Sequence, residues 1–151
     1  MFLKKYKITL MESYLENNLL TIPIDITYNN SKKNLKFPKN WSSVKNHEEC
    51  RELFEKYKFY KGIALLTGEI NNITVIDIDN IDSWNSLGID CPDDCLKVKS
   101  NRGIHLYFSY ESTLKNVSNV IDGIDIRNNG GNIILPPTCY NIGNDLFTYE
   151  F

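Results

Sequence analysis

The sequence predicts an α+β fold, with two helices near the start of the chain and then a mostly antiparallel sheet flanked by helices. Apolar residues recur at helical spacing in two segments before residue 60. Beyond residue 60, short apolar runs alternate with turn residues. The 151 residues are 42% apolar and 24% charged, a composition typical of one globular domain with a substantial core. We therefore expect residues 1–151 to form a single domain.

The first helix is predicted over residues 10–19, where apolar side chains recur about every fourth position. Residues 20–27 alternate apolar and polar side chains as a strand does, and Pro23 indicates an edge position in the sheet. The polar stretch 28–41, rich in Asn and Lys, is predicted to be a loop that closes on Trp41.

The second helix is predicted over residues 47–58. Asn46 followed by Glu49 resembles a capping box, which satisfies free N–H groups at a helix start. One face of this helix should be buried, because apolar side chains recur at positions i, i+3, i+4 and i+7: Cys50, Leu53, Phe54 and Tyr57.

Strands dominate the rest of the predicted chain, separated by turns rich in Gly and Asn. They are expected at residues 62–66, 73–79, 95–100, 104–109, 123–127, 132–135 and 146–150, with a short helix at 81–87. Because the chain ends within a strand-like segment, we expect it to be part of a longer protein.

Charge and hydropathy exclude some classes of protein. No apolar run approaches the ~20 residues that a membrane-spanning helix needs, and the first residues lack the features of a signal peptide. These observations predict an intracellular protein without a membrane partner.

The net charge of −2, from 17 basic and 19 acidic residues, is less basic than is usual for a nucleic-acid-binding domain. The basic residues nevertheless form two clusters, which either cover a solvated surface or contact phosphates: Lys32, Lys33, Lys36 and Lys39, and Lys97, Lys99 and Arg102.

The four cysteines do not predict a metal site or disulfides. Cys91 and Cys95 lie close in the sequence, as half of a zinc site would, but Cys50 and Cys139 do not form the second close pair. We therefore expect reduced, unligated thiols and no structural zinc.

Three aspartates occur where strands are predicted, although Asp is disfavoured in strands. Asp77 and Asp79 share one face of the strand 73–79, with Ile76 and Ile78 directed into the core, and Asp125 lies in the strand 123–127. Carboxylates this close repel each other unless a cation neutralises them. The pattern favours a site for a hard divalent cation such as Mg²⁺ or Mn²⁺, although a simple solvated face of an amphipathic sheet would also account for it.

Several cationic side chains are predicted on the same outward polar face of the sheet. His105 follows the alternation of its strand, Arg127 shares a face with Asp125, and Lys97 and Lys99 are assigned to the polar face as well. These residues could donate hydrogen bonds to phosphate groups. Backbone N–H groups of the turn Ser100-Asn101-Arg102-Gly103 could add to them in a concave nest.

The order of these motifs resembles that of the N-terminal domain of bifunctional primase–polymerases (prim-pol), in the archaeo-eukaryotic primase superfamily. That family has an acidic pair ending a strand, then a turn and strand with a histidine, then a third acid. The matching stretches are 62–68 leading to 75–79, then 99–108 and 123–137, so that the likeness extends over residues 10–150. The loop 31–41 also matches, but Asn34-Leu35 stands in place of the usual proline and Asn40 in place of the usual glycine before Trp41.

The resemblance implies a primase-like catalytic core that performs template-directed nucleotidyl transfer. Asp77, Asp79 and Asp125 would bind two Mg²⁺ or Mn²⁺ ions, and His105 would contact the nucleotide phosphates. The remaining expected contacts divide into two groups: Lys99, Ser100, Arg102 and Arg127 for the nucleotide, and Lys32, Lys33, Lys36 and Trp41 for nucleic acid. The expected partners are a single-stranded DNA template, nucleoside triphosphates and a downstream helicase domain or subunit.

Two other functions remain compatible with the residues. A metal-dependent nuclease needs a similar set of carboxylates with a His and a Lys. A non-catalytic module for single-stranded nucleic acid could use the loop lysines with Trp41, Tyr107 and Tyr110 as stacking surfaces.

Overall fold

The structure, a computed structural model, describes residues 12–151 and has the predicted α+β fold. Neighbouring strands in this part of the chain pair antiparallel throughout. The strands are β1 (Thr21–Asn29), β2 (Lys32–Lys36), β3 (Gly62–Leu66), β4 (Ile73–Ile78), β5 (Leu96–Lys99), β6 (Ile104–Ser109), β7 (Val117–Ile121), β8 (Ile124–Arg127), β9 (Asn132–Ile134), β10 (Cys139–Ile142) and β11 (Asp145–Thr148). The helices are α1 (His47–Lys56) and α2 (Ile81–Ser86), with 3₁₀ turns at Trp41–Ser43 and Glu69–Asn71.

The first sheet has the strand order β2-β1-β3-β9. The loop predicted over 28–41 is wrong for its first half, because β1 continues to Asn29 and returns as β2. Asn30 and Ser31 both have positive φ, which is the geometry of a tight hairpin turn. All five residues of β2 are exposed, so the strand lacks the alternation by which a strand is recognised in a sequence.

Pro23 does not place β1 at the edge of its sheet, contrary to the prediction. The strand lies between β2 and β3. Its two partners pair with different halves, however: β3 with residues 21–24 and β2 with residues 25–29. Pro23 is opposite Ile63, whose N–H and carbonyl bond to Thr138 and Leu135 instead of to β1, so the missing N–H faces away from β3, at a position that β2 does not reach.

The second sheet has the strand order β5-β6-β4-β8-β7, and a separate hairpin joins β10 to β11. The sequence predicted one sheet and did not predict β7 or β10. All five residues of β7 are exposed, so this edge strand, like β2, shows no pattern of burial.

The helices follow the predicted positions closely. Residues 12–16 are helical, while residues 10 and 11 of the first predicted helix lie outside the described residues. The Asn46 side chain accepts a hydrogen bond from the Glu49 N–H at the start of α1, as the capping motif predicts. Cys50 and Phe54 on this helix are buried. All four cysteines are free thiols. No helix within residues 12–151 is long and apolar enough to cross a membrane.

The two sheets pack against each other around the main core. It contains Ile22 and Leu65 from the first sheet and Val75 and Val98 from the second. A second core on the opposite side of the second sheet consists of Ile78, Leu106 and Ile124, against which Trp84 of α2 packs. Both faces of the second sheet are therefore covered. The expectation that the acidic face points outward is wrong, because that face of β4 also carries Val75 and packs against the first sheet.

Candidate active site

The candidate site begins with a row of side chains across neighbouring strands. Asp77 on β4 is directly opposite His105 on β6 and Asp125 on β8, so the three side chains lie on one face of the second sheet. Asp79 follows β4 by one residue and lies on the same side. The structure thus brings together the three predicted acids and the predicted histidine.

Asp77 is the most enclosed of these acids, with 15% of its side chain exposed. Its Oδ1 lies 3.4 Å from His105 Nε2, and its Oδ2 lies 3.8 Å from Arg127 Nη2. Oδ1 is buried and accepts no hydrogen bond from the described residues. Burial, reinforced by the nearby Asp79 carboxylate, raises the pKa of Asp77 from 3.8 to about 6.

Asp125 is held on both oxygens. Its Oδ1 accepts a 2.6 Å hydrogen bond from the Asn119 N–H, and its Oδ2 pairs with Arg127. Asn119 has positive φ and its own side chain accepts a hydrogen bond from Gly123 N–H, which fixes the turn between β7 and β8. The orientation of Asp125 therefore depends on a strand that the sequence did not predict.

Asp79 pairs with an arginine from the turn between β5 and β6. Arg102 Nη2 donates a 2.8 Å hydrogen bond to Asp79 Oδ2. The turn is closed by two hydrogen bonds between Ser100 and Gly103, one from the Ser100 N–H and one to the Ser100 hydroxyl oxygen. A Cβ on Gly103 would collide with the carbonyl oxygen of Ile78. This close approach holds the turn, and with it Arg102, against the end of β4.

His105 is buried and uncharged. Burial lowers the pKa of its imidazole to about 3, and the positive charges of Lys33 and Arg127 add to this effect. The ring packs on Tyr149 with a centroid distance of 5.7 Å, and Nδ1 has no hydrogen-bond partner among residues 12–151. A neutral imidazole carries one N–H, so His105 can donate one hydrogen bond to an anion without adding charge.

Lys33 reaches this site from the first sheet. The sequence predicted Lys33 as a nucleic-acid contact in a loop and did not predict its position beside the acids. It lies on β2, and its Nζ donates a 3.2 Å hydrogen bond to the Tyr149 hydroxyl. Much of the side chain is exposed, yet the protein atoms around the ammonium lower the pKa of Lys33, while Asp79 and Asp77 oppose this effect. No pattern in the sequence identifies Tyr149, because its role depends on contacts with Lys33 and His105, which are far from it in the chain.

A cavity of about 420 Å³ opens between the two sheets at these residues, and we call it the carboxylate cleft. Its lining includes the charged residues Lys33, Asp77, Asp79, Arg102 and Arg127 and the neutral His105. Trp41 contributes an aromatic wall together with Phe37, at a ring centroid distance of 5.4 Å. A smaller cavity of about 280 Å³ shares Lys33, Asp79 and Arg102 with the cleft and extends to Lys32 and Ser100.

The predicted contact residues Lys36 and Lys99 line neither cavity, and Asp125 lines a separate cavity together with Asp79 and Arg102. Val98 is directly opposite His105, which places Lys97 and Lys99 on the other face of the second sheet. Lys99 is exposed there, and its N–H donates a hydrogen bond to the carbonyl of Glu150. Lys36 is exposed on β2 and lines neither cavity.

A buried asparagine shapes the wall of the cleft after β8. Asn128 is completely buried, and its Nδ2 donates hydrogen bonds to the carbonyls of Glu111 and Leu114. Its Oδ1 accepts a hydrogen bond from the Asn129 N–H, and its carbonyl accepts one from Thr67. This network fixes the loop that leads to Gly131 in the cleft wall.

Asn128→Ala is expected to lower the free energy of unfolding by about 3 kcal/mol, because the completely buried side chain makes three hydrogen bonds to backbone groups, each worth about 1 kcal/mol. Urea denaturation measures the change. Asn141→Ala is a suitable control, since Asn141 is exposed and its replacement should change stability by less than about 0.5 kcal/mol. Equal effects of the two substitutions would contradict the assigned network.

Carboxylate oxygens are suitable ligands for a hard divalent cation, but these side chains are not arranged as a coordination site. Within residues 12–151, no group of three or more His, Cys, Asp or Glu side chains is close enough to hold a metal ion. Arg102 and Arg127 instead pair with Asp79 and Asp125. Asp77 Oδ1 is buried and accepts no hydrogen bond from the described residues, so this oxygen has a free position for a cation.

Comparison with known protein families agrees with the order of the motifs. The family described as bifunctional DNA primase/polymerase, N-terminal, matches residues 12–149, which is nearly the whole chain. No curated protein matches the chain significantly. The chain therefore belongs to the bifunctional DNA primase/polymerase family, as its motifs predicted, and members of this family are generally nucleotidyltransferases that use divalent metal ions.

Proposed function

We propose that this member of the primase/polymerase family adds nucleotides to DNA on a single-stranded template, either starting a primer or extending one. One observation carries the proposal: Asp77 and Asp79 line a cleft between the two sheets with His105, Arg102 and Arg127, Lys33 faces them from the first sheet, and Asp125 lies beside Asp77 on the adjacent strand. Nucleotidyl transfer needs this combination, since it places a highly charged triphosphate beside metal-binding acids.

Asp77, Asp79 and Asp125 are the residues that would hold Mg²⁺ or Mn²⁺ ions. When bound, such ions activate the attacking 3′-hydroxyl and stabilise the negative charge of the leaving pyrophosphate. The three acids come from the second sheet, so their spacing depends on the pairing of β4 with β8. Asp77 and Asp125 would thus hold an ion from paired strands, and Asp79 from directly after β4.

In this proposal, Arg102 and Arg127 can pair either with a carboxylate of the site or with a phosphate group of the nucleotide. Each pairs with a carboxylate in the structure, and each has N–H groups that suit phosphate oxygens equally well. If the acids held a cation, Arg102 and Arg127 would be free of their carboxylate partners and could contact the triphosphate. His105 adds a neutral hydrogen-bond donor, and the ring of Trp41 offers a surface on which a base can stack.

Incubation with a single-stranded template, labelled nucleoside triphosphates and Mg²⁺ or Mn²⁺ tests the proposal. We expect labelled products of template-dependent sequence on a primed template, and on an unprimed one if the protein also starts primers. Degradation of the template without added nucleotides would instead indicate a nuclease. Tight template binding that needs no metal ion, without synthesis on either template, would indicate a binding module.

A further inference from the structure

Lys33 is the cation that faces the acids from the opposite side of the carboxylate cleft. It projects from the edge strand β2, directly opposite Tyr28 of β1, and it lines both cavities. Asp79 and Asp77 both interact electrostatically with its ammonium group. The first sheet thus supplies a positive charge where the second sheet supplies the acids.

Tyr149 joins the two sides of the cleft beneath this lysine. The residue is 1% exposed, its hydroxyl accepts the 3.2 Å hydrogen bond from Lys33 Nζ, and its ring packs on His105. The backbone on both sides of it is fixed. The Tyr149 N–H donates to the Thr138 carbonyl, and Glu150 pairs with Lys99. The backbone of Tyr149 is therefore held independently of the Lys33 and His105 side chains.

We propose that Lys33 binds the phosphate groups of the incoming nucleoside triphosphate, and that Tyr149 is the positioning residue that holds Lys33 beside His105. The inference rests on the proposed function, because it requires that a triphosphate enter the cleft. A lysine on an exposed edge strand has several rotatable bonds, and ordering it on a ligand costs conformational entropy. The hydrogen bond to a buried, fixed tyrosine reduces this cost before the ligand arrives.

The position of Lys33 favours a triphosphate over the backbone of the template strand. A template phosphodiester carries one negative charge for each nucleotide, and at this position it would lie next to Asp77 and Asp79, which repel it. A triphosphate concentrates several negative charges and binds together with divalent cations, which offset the acids. The ammonium of Lys33 can then contact phosphate oxygens that the acids do not repel.

Calorimetric titration with a non-hydrolysable nucleoside triphosphate in Mg²⁺ tests the role of Lys33. Lys33→Met is expected to weaken binding about tenfold or more, the usual cost of losing one charge-assisted contact to phosphate. Affinity for the nucleoside monophosphate and for single-stranded DNA should change little. Lys61→Met removes the same charge from an exposed lysine that lines neither cavity, and it should bind the triphosphate as the wild type does.

Two results would overturn the role of Lys33. One is wild-type triphosphate affinity in Lys33→Met, and the other is a loss of single-stranded DNA binding in place of triphosphate binding. A failure of the proposed function is distinguishable from both, because in that case the wild-type protein itself would bind no triphosphate.

Tyr149→Phe tests the positioning role while it keeps the ring that packs on His105. The KM for the nucleotide is expected to rise about threefold to tenfold with kcat little changed, since the hydroxyl holds a binding group and takes no part in the reaction. In a Lys33→Met background, the same substitution should have no further effect, because the two side chains act through one contact. A loss confined to kcat, or full additivity in the double variant, would contradict the assignment.

Discussion

Asp77→Asn is expected to reduce nucleotide incorporation by about a thousandfold or more, since it removes a carboxylate that would bind the metal ions. The asparagine has the same shape, so the packing between the sheets should persist. Incorporation on a primed template in Mg²⁺ measures the effect. Asp145→Asn is the matched control, because Asp145 is exposed at the start of β11 and lines neither cavity. Near wild-type incorporation by Asp77→Asn would contradict the metal assignment.

The same substitution should stabilise the metal-free protein. Folding raises the pKa of Asp77 from 3.8 to about 6, so the native state binds this proton more readily than the unfolded chain does. The stability of the wild-type protein therefore falls as the pH rises from about 4 to about 6, and the loss from this group is up to about 3 kcal/mol. Asp77→Asn lacks the carboxylate and should not show this fall. Urea denaturation in a metal chelator at pH 4 and pH 7 measures the difference between the two proteins.

Gly103→Ala is expected to cost several kcal/mol of stability, about 3 or more, because its Cβ would collide with the backbone carbonyl of Ile78. A backbone oxygen within a central strand cannot move aside as the end of a side chain can. To avoid this collision the turn between β5 and β6 must move, which should displace Arg102 from Asp79 and lower nucleotide incorporation as well. Thermal unfolding and incorporation assays measure the two effects.

Gly88→Ala separates this collision from the general effect of replacing a glycine. Gly88 has positive φ, but no atom lies within 4 Å of the Cβ position. Its replacement should therefore cost only about 1 kcal/mol, which is the conformational cost of a left-handed residue. If Gly103→Ala lowered the free energy of unfolding no more than Gly88→Ala does, this result would contradict the close approach of the turn to β4.

Most of the second sheet could be predicted from the sequence, because its strands alternate and its turns contain Gly and Asn. The strand 104–109 has its predicted bounds, and Asp77, His105 and Asp125 share a face as expected. Strands β2 and β7 escaped prediction for one physical reason. All their residues are exposed edge positions, where backbone pairing forms a strand without burying a side chain.

The orientation of the acidic face could not be read from alternation. A strand covered on both sides carries apolar residues on both, so Val75 and Ile78 on β4 give no sign of which side faces solvent. The face predicted for Lys99 was wrong for a related reason. Two lysines at alternate positions indicate a solvated face, and only the pairing of Val98 with His105 reveals that this face is not the one with the acids.

The contact between Lys33 and Tyr149 joins residues 116 positions apart, and the hydrogen bond from Tyr14 to Pro136 joins residues 122 apart. The first sheet likewise pairs β3 with β9 across more than sixty intervening residues. Closing loops of this length costs entropy before the contacts compensate for it, and chains with such topologies fold slowly. During synthesis, the ribosome must therefore release nearly the whole domain before the cleft can form. Until then, the acids of β4 and β8 stand in a partly folded chain without the ring of Tyr149, the last residue of the site to be synthesised.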